Sequence, residues 1–111
     1  MGMYNTISID KSNFPAKFRK KWDEDLLDCF QTKNLLPNEL EHYVIYMGGR
    51  ILKNGRGRIK YTGELKLISN SQSDEFIEFI GWVEKGFLKR LLFVGYGRFE
   101  NGKWIELQYG K

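Results

Sequence analysis

Between residues 48 and 63 the sequence GGRILKNGRGRIKYTG carries five of the chain's eighteen lysines and arginines and five of its twelve glycines, without an acid or a proline. Arg50, Lys53, Arg56, Arg58 and Lys60 fall within eleven residues. Side chains at even spacing share one face of a strand, so Arg56, Arg58 and Lys60 are placed to form a cationic row. Gly55 and Gly57 add no side-chain bulk, which leaves backbone amides free to approach phosphate oxygens. Cations and bare amides in this pattern fit the backbone of a polyanion such as RNA. The same residues also fit a solvated hairpin tip, glycine-rich for turn geometry and charged so that a sheet edge does not aggregate.

A second candidate is GFLKRLLFVGYGRF, residues 86 to 99. Gly95 and Gly97 flank Tyr96 inside a strand-like run, where glycine marks a bulge or a close backbone approach. Tyr96 or Phe99 there offers a ring on which a base can stack; the competing reading is a bend with Tyr96 packed inward. Catalytic and metal chemistry find less to work with. His42, the only histidine, sits between Glu41 and Tyr43 and suits a strand-end residue better than a general acid or base. One histidine and one cysteine, Cys29, give no metal-ligand spacing, and the chain has neither a Walker phosphate loop nor a nucleophile elbow. No catalytic residue, metal or cofactor is assigned.

The elements that must position these residues follow from periodicity. MYNTISI, residues 3 to 9, alternates and reads as a strand. Phe14, Phe18, Trp22, Leu26 and Phe30 then recur every four residues, the stripe of one long helix, although its basic residues come first and its acids last, against the helix dipole. HYVIYM, residues 42 to 47, is a second strand. RIKYTGELKLI, residues 58 to 68, is a third, pairing back on the second across the tip KNGRG. NSQSDEFIEFIGWVEKGF, residues 70 to 87, opens on a Ser73, Asp74, Glu75 cap signal and places Phe76, Phe79, Ile80 and Val83 on one helical face before Gly86. Residues 89 to 100 form a fourth strand, and KWIELQY follows the turn Glu100 to Gly102 as a terminal partner. Strand, helix, strand, strand, helix, strand predicts an α+β, ferredoxin-like fold with both helices on one face of an antiparallel sheet.

A chain of 111 residues with 41% hydrophobic and 15% aromatic content has the means to bury one core, so residues 1–111 read as one domain rather than a disordered segment. The net charge of +4 is segregated: acids crowd residues 23 to 28, 39 to 41 and 74 to 84. The stretches at 23 to 28 and 74 to 84 are the working surfaces of an alternative reading, a protein-interaction module such as a small inhibitor or accessory subunit. A lone cysteine excludes an internal disulfide and fits a cytoplasmic setting. No apolar stretch approaches the ~20 residues of a membrane span, and MGMYNT matches a myristoylation pattern only formally.

GRGRIKYTGEL, residues 55 to 65, and GWVEKGFLKRLLFVGYGRF, residues 81 to 99, resemble the hairpin strand and the glycine-rich loop of the CRISPR repeat-processing endoribonucleases of the RAMP superfamily. The resemblance spans roughly the last half of the chain. It implies a ferredoxin-like domain in which Gly86, Lys89, Arg90, Gly95, Gly97 and Arg98 lie near bound RNA and the basic hairpin grips its backbone. Since such enzymes commonly pair two of these domains, the resemblance also implies a homodimer or a place among ribonucleoprotein subunits. Their metal-independent cleavage often uses a histidine early in the first domain, a position His42 does not occupy, so catalysis is not carried over.

Overall fold

A computed structural model describes residues 5–32, 41–54 and 56–109. The chain runs through β1 (Asn5–Ile9), a 3-10 turn (Lys11–Asn13), α1 (Ala16–Lys20), α2 (Glu24–Leu27), β2 (Phe30–Thr32), β3 (His42–Ile45) and β4 (Ile51–Lys53). There follow β5 (Gly57–Arg58), β6 (Gly63–Asn70), β7 (Glu75–Glu84), β8 (Phe87–Glu100) and β9 (Lys103–Glu106). All nine strands belong to one sheet, in the order β5-β4-β3-β1-β2-β6-β7-β8-β9. Among the described residues only β1 and β3 pair in parallel. This mixed sheet with two short helices replaces the predicted ferredoxin-like fold.

Both predicted helices are corrected, for different reasons. In the first, the apolar stripe is real: Phe14, Phe18, Leu26 and Phe30 are all buried. The helix breaks within it, at Lys21, whose φ of −125° and ψ of 63° leave the helical region. Asp23 then caps α2 by accepting from the amides of Asp25 (3.0 Å) and Leu26 (3.4 Å). The break resolves the reversed charge pattern: Lys17, Arg19 and Lys20 now end one helix, while Glu24 and Asp25 begin another, and both arrangements suit the helix dipole. Phe30 has passed into β2.

In the second, residues 75–84 form a strand whose buried positions are Ile77, Phe79, Gly81 and Val83, a period of two. What looked like a helix cap is a hairpin turn. The Ser71 hydroxyl accepts from the amides of Ser73 and Glu75 at 3.2 Å, and Asp74 adopts φ +61°. Lys85 and Gly86 (φ +50° and +83°) and Asn101 and Gly102 (+51° and +78°) make the two further turns, each with the paired positive φ of a two-residue hairpin. Strands β6 to β9 are therefore a meander.

The predicted third strand also divides. β4 pairs β3, β5 turns back on β4 with Leu52 opposite Arg58, and β6 leaves this hairpin to pair β2 and β7. Ile59 and Tyr61, between β5 and β6, pack against the core.

The sheet curls until its two halves meet. Arg50 forms a bridge with Phe87, the Ile51 amide donates to the Gly86 carbonyl (2.9 Å), and the Leu88 amide donates to the Gly49 carbonyl (2.7 Å). Glycine is required on both sides of this seam. At Gly49 (φ +91°) a Cβ would lie 2.3 Å from the Leu88 oxygen, and at Gly86 a Cβ would lie 2.2 Å from the Ile59 oxygen. Inside, Phe79 meets Phe14, Phe18 and Phe30 at centroid distances of 5.1, 5.0 and 5.9 Å, so the segment between β1 and β2 packs onto the inner face of the sheet. Asn5, also buried, accepts from the Glu41 amide at 2.9 Å.

Candidate nucleic-acid interface

The seam assembles a cationic surface from three separate stretches of chain. Arg50 enters β4, Arg58 ends β5, Lys60 follows it, Lys85 sits in the β7–β8 turn and Lys89 lies early in β8. At their centre is Phe87, 37% exposed, with the Arg50 guanidinium 5.7 Å and the Lys89 ammonium 5.5 Å from its ring centroid. Arg50, Arg58, Lys60, Lys85, Gly86 and Phe87 line a cleft of about 180 Å³. On the other side of the Arg50–Phe87 pair, Tyr46, Met47 and Leu52 line a groove of about 390 Å³. None of the five cations has an ion-pair partner among the described residues. The adjoining carboxylate is Glu84, opposite Phe87 in the β7–β8 ladder.

The cluster is thus cationic and partly apolar, with exposed Tyr46 at its border (42%). Lysine and arginine heads can neutralise phosphates, and a ring between them can take the face of an unpaired base. Arg58 and Lys89 stand on strands, Arg50 in the bridge to Phe87 and Lys85 in a tight turn, so little ordering of their backbone is needed when a ligand arrives.

Of the residues singled out in the sequence, Arg50, Arg58, Lys60, Gly86 and Lys89 are brought together. Gly86 acts through its backbone: its amide donates to the Tyr61 carbonyl (2.9 Å) and its carbonyl accepts across the seam. Gly55 lies outside the described residues, and Arg56 stands exposed at the hairpin tip. Lys53 is drawn to Glu41 at 3.6 Å. Arg90 is exposed opposite Trp82.

The rest of the second candidate lies elsewhere. Arg98 lies eleven positions beyond Phe87 along β8, roughly 35 Å of strand. There Arg98 pairs with Glu100 at 2.9 Å. The Tyr96 hydroxyl donates to Glu75 at 2.6 Å, and its ring packs edge-on against Tyr109. Burial, reinforced by the bond to Glu75, pushes that phenol far above its ordinary range. Gly97 has a packing role: a Cβ there would stand 2.6 Å from the Trp104 ring.

His42 is half-buried on the outer face, its Nδ1 2.7 Å from the Thr6 hydroxyl and its Nε2 3.3 Å from the Ser8 hydroxyl. Both ring nitrogens thus have partners within the sheet. Cys29 is exposed beside β2. Two acids of the sequence's acidic stretches are used internally, Asp23 as a cap and Asp25 as acceptor from the Gln72 amide at 3.0 Å. Among the described residues no three His, Cys, Asp or Glu side chains gather as metal ligands, and no helix is long and apolar enough to cross a membrane.

Lys85, Phe87 and Tyr46 were missed in the sequence. Lys85 and Phe87 flank Gly86 and looked like a helix end; read as a two-residue hairpin turn, Lys-Gly would have aimed both at the seam. The chain matches no protein-family model, no curated protein and no solved structure.

Proposed function

We propose that this chain binds RNA through the seam, gripping phosphates with Arg50, Arg58, Lys60, Lys85 and Lys89 and stacking an unpaired base near Phe87. One observation carries this reading: five cations from three separate stretches of chain gather around one cleft, two of them over the exposed Phe87 ring on its wall, with no ion-pair partner among the described residues. Solubility alone asks only for scattered charge, whereas a phosphate backbone asks for charge in one place. The exposed rings of Phe87 and Tyr46 favour single strands, whose bases are open to stacking. The test is an anisotropy titration of labelled single-stranded RNA at increasing salt, with a duplex of the same sequence beside it. Tight binding at low salt, a steep loss with salt and a weaker duplex are expected; no binding at low salt refutes the proposal.

A further inference from the structure

At the far end of β8, the outer face of β6 to β9 exposes an aromatic groove that RNA binding does not use. Phe76 and Phe99 meet at 5.9 Å and 80°, and Phe99 and Trp104 at 5.1 Å and 64°. With Ile68 on one side and Gly95 as floor, they bound about 440 Å³ of open groove. Phe99 is 58% and Trp104 42% exposed, an unusual outlay of aromatic surface.

The charge in this groove is opposite to that of the whole protein. Glu78 lines it and stands directly across from Gly95. Glu106 accepts from the Trp104 indole with Oε2 at 2.9 Å, and its Oε1 lies 3.9 Å from where a Gly95 Cβ would be. Among the described residues no lysine or arginine lines the groove, although the chain carries a net charge of +4. Gly97 lets the indole lie down on β8, and Gly95 leaves the floor open.

We infer that the groove between Phe76, Phe99 and Trp104 binds a small organic cation bearing a trimethylammonium head. Ring faces attract a cation through their quadrupoles, and a quaternary ammonium is easily desolvated while keeping its full charge. The two carboxylates add Coulomb attraction. For a neutral apolar ligand the same carboxylates are a penalty, because covering them strips their water without return. A quaternary head needs no acceptor and presents methyl groups to the ring faces, whereas one Glu106 oxygen is already taken by the indole and offers less to a hydrogen-bonding ammonium.

Choline and its neutral isostere 3,3-dimethylbutan-1-ol, titrated into the full chain by calorimetry at fixed salt, test the inference. Choline is expected to saturate one site and to shift the Trp104 indole N–H resonance, with the isostere at least about tenfold weaker. Trp104→Leu and Glu78→Gln should each weaken choline by about three- to tenfold; Glu78→Gln keeps the groove's shape and serves if the first variant does not fold. Equal binding of the isostere overturns the inference in favour of a plain apolar groove, and no choline binding at all overturns it outright. A concentration-dependent dimer that Trp104→Leu dissociates, without choline binding, would assign the face to a second copy instead.

Discussion

Replacing Arg58, Lys60 and Lys85 by alanine removes three of the five seam cations without touching the core, since all three are exposed. On single strands each neutralised phosphate contributes about −0.7 to the slope of log affinity against log salt, so five contacts give about −3.5 and two give about −1.4. Between 50 and 200 mM salt the parent protein should then lose about 100-fold in affinity and the triple variant only about sevenfold. Anisotropy with a labelled oligonucleotide measures both slopes, and thermal unfolding checks that the variant remains folded. Lys53→Ala with Arg98→Ala is the matched control, because those cations already face Glu41 and Glu100; its slope should move by less than about 0.5. A parent slope shallower than about −1, a triple variant as salt-sensitive as the parent, or a control that matches the triple variant would each refute the seam as the binding surface.

Three further outcomes test the fold that builds the site. Phe79→Ala empties the centre of the aromatic core, where the ring is fully buried, and should cost about 3–5 kcal/mol in urea unfolding. Gly86→Ala should cost at least about 2 kcal/mol, since it combines positive φ with a backbone clash, whereas Gly102→Ala meets nothing within 4 Å and should cost about 1 kcal/mol from strain alone. Burial, and then Glu75, raise the Tyr96 phenol above its ordinary value of 10.0. The folded state therefore favours the protonated phenol, and its contribution is whole below about pH 10 and lost as pH climbs further. Urea midpoints should fall more steeply above about pH 10 for the parent than for Tyr96→Phe.

Where periodicity and turn chemistry agreed, the sequence was readable. The described part of β1 falls where alternation places it, β3 and β8 where aromatic, β-branched and apolar runs place them, and the terminal hairpin at Asn101–Gly102 where its turn residues do; residues 3 and 4 of the first predicted strand lie outside the described residues. Where one apolar set satisfied two periods, it misled. Residues 76–83 can be read as a helical face through Phe76, Phe79, Ile80 and Val83 or as a strand face through Ile77, Phe79 and Val83, and the flanking Ser-Asp and Lys-Gly steps are compatible with caps as well as with tight turns. The first helix contained its own warning: a lysine-rich start and an acidic end oppose the dipole of one helix and suit that of two.

The site was readable only as a list of parts. Arg50, Arg58 and Lys60 are near in sequence, but nothing local says that Lys85 and Lys89 will join them, because that depends on closure of the sheet between β4 and β8. Closure in turn rests on two residues with no side chain. Gly49 lets β4 approach β8 to hydrogen-bonding distance and Gly86 lets the β7–β8 turn lie against Ile59, and together these approaches set Arg50 beside Phe87 and bring Lys85 and Lys60 to one cleft. The glycines of the basic stretch and of the β7–β8 turn therefore serve recognition indirectly, by joining two half-clusters of charge into one surface. Opening the seam would separate those halves while every cation remained in the chain, so cationic composition alone is not sufficient for the binding proposed here.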